Sequence, residues 1–477
     1  MSFSDDPVVL KTADGIQQEP SRERRIRLLK QIGLFFMTTL GPLNFGMGLS
    51  WVNTIASDFE HDNTTLFGNE LQLHNWQFDM MSSLVFIGTL PGFLIGGYLV
   101  ARFGRRKSMM LIIPPCMAGW LFVALATNAI MILVGRFISG FAYALVVVSV
   151  RTYLSEISDK EIRGAAILSA ECMKSMGAIL IVALGMIGTW YYAAFFCVCE
   201  ILFFGIAVLP FLPESPTFLT VTGKDEKAMK VLKRLRGKYI DVEGEMCNLK
   251  EANERGDGNN GWSALLKPDV MKKCLIVFGL FLISNFSGTE VIKANAVRML
   301  QTSGLSFDSE VSTIIIFVLL LAGNLCQALL VDRIGRKKCL ILSLILLLTA
   351  YVILGTYVFL ESTGNFETEV GEARTENPWN WVPTACLLVC AFSSSLGIGP
   401  TPWMLAVEYF PTSIRSQVMS VCTFFGSLMS FASLQVYSPL QYALTPAGLY
   451  WSYASFAGIG IIYTIFIVHE TKGVNVG

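Results

Sequence analysis

The chain has 477 residues, 53% of them hydrophobic and 15% charged, with 36 Lys and Arg balanced by 36 Asp and Glu, and its mean hydropathy is +0.55. A soluble domain carries nearer a quarter charged residues, so the composition excludes an ordinary globular protein and points to one that crosses the bilayer many times. Zero net charge gives no footprint for nucleic acid, and eleven cysteines without a CxxC pair give no disulfide or metal frame.

Residues 1–30 bring Lys11, Arg22, Arg24, Arg25, Arg27 and Lys30 and are expected to form a cytoplasmic tail. The apolar run that follows is long enough to be kept as a span rather than cleaved as a signal. A helix needs about 20 apolar residues to cross the hydrocarbon, and twelve runs qualify: 31–55, 77–100, 108–128, 130–153, 165–188, 191–212, 274–297, 311–331, 338–360, 381–406, 416–440 and 447–468. The expected fold is therefore all-α, with a six-helix bundle over 31–212, a linker over 213–273, a second bundle over 274–468 and a short tail over 469–477. Two bundles in one chain make a monomer sufficient.

Orientation follows from Lys and Arg. The turn after the second span holds Arg102, Arg105, Arg106 and Lys107, and the turn after the eighth holds Arg333, Arg336, Lys337 and Lys338. Stretch 213–273 holds twelve more, whereas 56–75 holds none and 361–380 only Arg374 among five glutamates. Both termini and the central linker are thus expected in the cytoplasm. Within the linker, Lys224–Gly237 has the spacing of a surface helix, and Glu251–Trp262 reads as a Gly-rich connection. Asn63-Thr64-Thr65 is a glycosylation sequon in an expected external loop.

The halves echo each other. FGRRK (Phe103–Lys107) returns as IGRKK (Ile334–Lys338); Glu156 and Arg163 return, 252 residues later, as Glu408 and Arg415; PESP (Pro213–Pro216) is answered by HETKG (His469–Gly473). Internal repeats of this kind build many transporters, with solute bound at midplane between the repeats.

Six segments, GYLVARFGRRK (Gly97–Lys107), the stretch Gly135–Gly164, PESP, IGRKK, GIGPTPW (Gly397–Trp403) and HETKG, resemble in order the signatures of the sugar porter branch of the major facilitator superfamily. LVDRIGRKK and VEYFPTSIRS are most similar to insect trehalose and glucose facilitators. The resemblance implies twelve helices in two pseudo-symmetric bundles around a cavity that opens alternately to either side. It implies a facilitative carrier of a hexose- or trehalose-class sugar in the cell membrane, with no cofactor, no metal and no enzymatic activity. It also implies that Arg102, Arg105, Arg106, Glu156, Arg163, Glu214, Asp332, Arg333, Arg336, Glu408, Arg415 and Glu470 form charge networks that latch one state. Ala101 stands where the family has Asp.

The same resemblance places Trp403 in the cavity and puts Ser284, Asn285, Ser287, Glu290 and Glu171 at substrate positions. Several of these depart from the family's amides, and Arg151, Lys174 and Lys293 add charge nearby. Charges inside a span face a cavity or a partner. Glu171–Lys174 and Glu290–Lys293 are each three residues apart and can pair on one helix face; equally, they can meet a charged solute. Gly48 stands where proton-coupled relatives carry Asp, which favours gradient-driven uniport. A carrier of another polar or charged solute, proton-coupled at Glu171 or Glu290, and a non-transporting nutrient sensor are the alternatives.

Overall fold

The structure, a computed structural model, describes residues 9–12, 15–18, 20–59, 64–159, 162–237, 241–256, 267–301, 309–363, 379–410 and 415–471. It is nearly all helix. The addition to the all-α expectation is a hairpin of β1 (Val9–Thr12) and β2 (Gly15–Gln18), antiparallel with Val9 opposite Gln18.

The first half comprises α1 (Ser21–Thr38), α2 (Leu40–Asp58), α3 (Asn75–Phe103), α4 (Arg105–Ala124), α5 (Ala129–Ile157), α6 (Arg163–Ile187) and α7 (Trp190–Phe203). The linker forms α8 (Pro216–Val221), α9 (Asp225–Arg236) and α10 (Val242–Gly256). The second half comprises α11 (Pro268–Phe286), α12 (Thr289–Ala294), α13 (Ala296–Gln301), α14 (Ser309–Ile334), α15 (Arg336–Ser362), α16 (Val382–Leu396), α17 (Thr401–Glu408), α18 (Arg415–Gln435) and α19 (Tyr437–Phe466).

Among the described residues, ten helices are long and apolar enough to cross a membrane. The other two expected spans have local reasons for falling short. The sixth is the shorter apolar helix Trp190–Ile206. The seventh is cut into α11, α12 and α13, because Gly288 adopts a left-handed φ of 82° and Asn295 leaves helical geometry at φ −125°. A left-handed residue ends an α-helix and is easiest for glycine. The tenth span breaks at Gly397–Pro400, where proline denies a helix hydrogen bond.

Two boundaries differ from the sequence expectation. Helix α1 starts at Ser21, inside the expected tail, and its Arg27 is buried in an ion pair with Asp159. Helix α10 runs on to Gly256, so Glu251–Gly256 is helix rather than connection, and 257–266 lie outside the described residues. The expected surface helix is α9; its Ala228 and Leu232 pack with Leu219, Val242 and Met246 in a small separate core. Full burial of each of the larger of these side chains contributes roughly 1.5–3 kcal/mol.

Within the first half α5 packs on α3 and α4, and α2 on α6; within the second, α15 packs on α19 and α14 on α16. The halves meet where α3 packs on α18 and α6 on α14, with α2 against α12 and α13. The duplicated motifs pair span two with span eight and span five with span eleven. The α3–α18 and α6–α14 contacts are therefore the two contacts that this repeat exchanges. Inside the first half, buried Arg136 ties three spans together: its Nε donates to the Met81 carbonyl (2.8 Å) and its Nη1 to the Gly48 carbonyl (2.5 Å), over the ring of Trp51.

Candidate functional site

Between the halves, Arg151 on α5 donates to Glu171 on α6 at 2.5 Å, and Lys174, one turn further along α6, pairs with the other carboxylate oxygen. These three side chains line a recess with Pro42, Phe45 and Val150. Trp403 of α17 approaches from the second half, with the Arg151 guanidinium 5.8 Å from its ring centre. Phe281 meets Trp403 edge-on with centroids 4.7 Å apart, and the Lys174 ammonium lies 6.0 Å from the ring of Phe45. The proline-broken tenth span thus puts Trp403 beside Glu171, through a cation whose partnership with Glu171 cannot be read from helical spacing.

The polar stretch of the seventh span divides in two. Ser284, Asn285 and Ser287 are buried. Asn285 Nδ2 donates to the Phe281 carbonyl (2.8 Å) and its Oδ1 accepts from Ser430 on α18 (2.8 Å); the Ser287 hydroxyl donates to the Ser284 carbonyl (3.0 Å). Glu290 is partly open and accepts from Lys293 at 2.7 Å. Both i,i+3 pairs foreseen from spacing are therefore made. Only the first adds a third member, Arg151.

The turns at the end that bears the termini gather the duplicated charges. Arg105 pairs with Glu156 at 2.6 Å, and the other oxygen of Glu156 accepts from the Ser215 hydroxyl. Glu214 accepts from the backbone N–H of Arg105 (2.9 Å) and Arg106 (3.1 Å). The second half repeats this. Arg336 pairs with Glu408 at 2.9 Å, Thr471 donates to the other Glu408 oxygen, and Glu470 accepts from the N–H of Arg336 and Lys337, both at 3.0 Å. A carboxylate at a helix N-terminus satisfies orphan donors and the helix dipole. Gly104 (φ 90°) and Gly335 (φ 94°) make the turns that expose those donors, in a region of backbone space that side chains rarely enter. Each network stays inside its own half. Arg102 and Arg333 stand exposed beside them. Asn63 and the side chains of Arg163, Asp332 and Arg415 lie outside the described residues.

At the opposite end the contacts cross between halves. Buried Asp79, at the start of α3, accepts from Arg298 of α13 at 2.8 Å and from the Ser438 N–H at 3.3 Å. Asn53 donates to the Lys293 carbonyl (3.0 Å) and accepts from the Val297 N–H (3.3 Å); Ser83 donates to Gln435 (3.0 Å). Arg298 also lies 5.7 Å from the ring of Phe78 and 5.2 Å from that of Tyr437. Sequence reasoning missed this set. Its signal was present: a lone Asp just inside one apolar span and a lone Arg just past the end of another.

Residues 34–476 match the family described as "Sugar (and other) transporter". The chain is 28% identical over 451 residues to the facilitated trehalose transporter Tret1 of Apis mellifera ligustica, covering 94% of itself and 87% of that protein. It is 29% identical to the Aedes aegypti protein of the same name, 91% of the chain aligning with 53% of that longer sequence. Its fold matches the proton:xylose symporter XylE bound to 6-bromo-6-deoxy-D-glucose with a TM-score of 0.74 at 21% identity, over 93% of this chain and 97% of that one. The chain belongs to the sugar (and other) transporter family, and it is a multi-pass membrane protein of the major facilitator fold.

Proposed function

We propose that the protein carries a sugar of the hexose or trehalose class across the cell membrane by alternating access, driven by the sugar's own gradient. The observation that carries this reading is the meeting of Trp403, from one half, with Arg151 at the rim of a charged recess built by the other. An indole face packs on the C–H face of a sugar ring while charged groups donate to and accept from its hydroxyls. Trehalose transport named for insect relatives and family membership over residues 34–476 support it.

In this reading Glu171, Glu290 and Trp403 contact the sugar, while Ser284, Asn285 and Ser287 hold the broken seventh span in register behind them. The basic turns and both termini face the cytoplasm by the positive-inside rule. The Asp79–Arg298 end then faces outward and is shut in this conformation, with Asn63 presented outside as a glycan acceptor. Glu156, Glu408 and their arginines brace the cytoplasmic ends of each half. Arg102, Arg163, Asp332, Arg333 and Arg415 latch the cytoplasmic side when it closes, while Glu214 and Glu470 hold the starts of α4 and α15.

Uniport fits the first span. A side chain on Gly48 would run into the Tyr143 hydroxyl, and the Gly48 carbonyl is taken by Arg136, so no carboxylate can sit there to be protonated. Uptake of radiolabelled glucose and trehalose by proteoliposomes, with and without an imposed pH gradient, tests this. Saturable uptake that ignores the pH gradient is expected. Absence of saturable flux for every sugar would sink the reading, and flux that follows the proton gradient would sink uniport.

A further inference from the structure

The recess holds two cations against one carboxylate: Arg151 and Lys174 are each paired with Glu171, two positive charges less one negative, a surplus of one. Among the described residues no second carboxylate pairs with either cation. Of the other acids within the spans, Glu290 pairs with Lys293 at 2.7 Å and Glu200 accepts from Asn44 at 2.7 Å. Aromatic faces at Trp403 and Phe45 offset part of the cost, but a cation–π contact contributes only about 0.5–2 kcal/mol, well short of what an unmatched charge costs in a low-dielectric site.

The spare donors are available to a ligand. The side chains of Arg151, Glu171 and Lys174 are 34%, 28% and 27% exposed, and that exposure opens into the recess they line. Arginine has five donors in a planar fork that fits a carboxylate, and lysine has three. Trp403, whose ring centre lies 5.8 Å from the Arg151 guanidinium, offers its face to a pyranose ring once Arg151 turns from it to the solute's carboxylate.

Resting on the sugar-carrier reading, we infer that the solute this site prefers is a sugar bearing one negative charge, a hexuronate-type carboxylate. Its anionic group docks between Arg151 and Lys174 while its ring lies on Trp403. A single carboxylate matches the surplus, whereas a doubly charged phosphate exceeds it. Binding neutralises the site, and each transport cycle moves one negative charge across the membrane.

The test uses the full chain in proteoliposomes, comparing uptake of radiolabelled D-glucuronate, D-glucose and inorganic phosphate at zero potential and at an inside-positive potassium diffusion potential. Glucuronate is expected to be carried about tenfold better than glucose, in proportion to one charged hydrogen bond, and to be accelerated by the inside-positive potential. Lys174→Gln lowers the glucuronate-to-glucose ratio about tenfold, and Lys174→Arg, which keeps the charge, restores it. Glucose flux without glucuronate flux, or an unchanged ratio in Lys174→Gln, overturns the inference and leaves the sugar carrier standing. Flux of phosphate alone, or of none of the three, overturns the inference; if labelled trehalose is not carried either, the sugar-carrier reading falls with it.

Discussion

The two ends of the molecule use charge in opposite ways. At the end where α1 begins and α19 closes, Arg105–Glu156–Ser215 and Arg336–Glu408–Thr471 are closed sets, each within one half, and each repeats the other's Arg–Glu–hydroxyl plan. At the far end, Asp79–Arg298, Asn53–Lys293 and Ser83–Gln435 all join one half to the other, with no duplicate. A bond inside a rigid half is present in every orientation of the halves. It adds to the stability of all states and cancels from the equilibrium between them. A bond between halves exists in one orientation only, and its whole free energy bears on that equilibrium. The far-end set therefore decides which way this carrier faces in the conformation seen here, and the duplicated sets decide how rigidly each half moves.

The sharpest way to break that division is Asp79→Asn. Removing one partner of a buried ion pair costs about 3–5 kcal/mol, and here the cost falls on the closed orientation alone. The open orientation should gain at least a hundredfold in relative population, in proportion to that energy. Spin labels on the far ends of α3 and α19, in a chain whose native cysteines are replaced, should report a longer distance by pulsed electron resonance. An unchanged distance distribution would mean that the bridge does not set the equilibrium.

Glu156→Gln and Glu408→Gln probe the other side of the comparison. Each leaves an arginine with a weaker acceptor, at about 1.5–3 kcal/mol, and should lower thermal stability in detergent without moving the spin-label distance. The first should cost more: Arg105 and Glu156 are both 14% exposed, against 16% and 26% for Arg336 and Glu408, so solvent screens the second pair better. A distance shift in Glu156→Gln as large as that of Asp79→Asn would show that this pair also latches between halves in the other conformation.

The same contrast explains what could be read from the sequence. Spans, the α9 helix and the duplicated networks were legible because each is local or repeated: apolar length, helical spacing, a motif seen twice. The partition of the seventh span was half legible. The polar residues at 284–293 stood out, but the left-handed turn at Gly288, which ends α11, depends on a tertiary setting beside Tyr351 and Tyr453. Spacing foresaw Glu171–Lys174 and could not foresee that Arg151, twenty residues earlier on another helix, shares the carboxylate. The far-end bridges were illegible for the same reason in stronger form. Asp79 and Arg298 are 219 residues apart, belong to different repeats, and no local spacing ties one to the other. The hairpin at Val9–Gln18 lacked any apolar alternation long enough to register.

The smallest effects sharpen the comparison furthest, because they separate likeness of geometry from likeness of energy. Ser215 and Thr471 hold equivalent posts, each donating to the second oxygen of its glutamate. Ser215→Ala and Thr471→Ala should each cost about 0.5–1.5 kcal/mol for the lost hydrogen bond. Ser215 does more than this. Its side chain also accepts from the Phe218 N–H at 3.4 Å and caps α8, and loss of such a cap costs about 0.5–2 kcal/mol more. No helix follows Thr471 among the described residues. Ser215→Ala should therefore destabilise more than Thr471→Ala, while Ser215→Thr and Thr471→Ser, which keep both the hydroxyl and the capping oxygen, should be close to neutral. Because the sites share no partner and belong to different halves, the double alanine variant should equal the sum of the singles to within about 0.5 kcal/mol. Coupling beyond that, measured in thermal unfolding of the detergent-solubilised chain, would mean that the two networks communicate across the seam and that the halves are not the independent rigid bodies their duplicated charges describe.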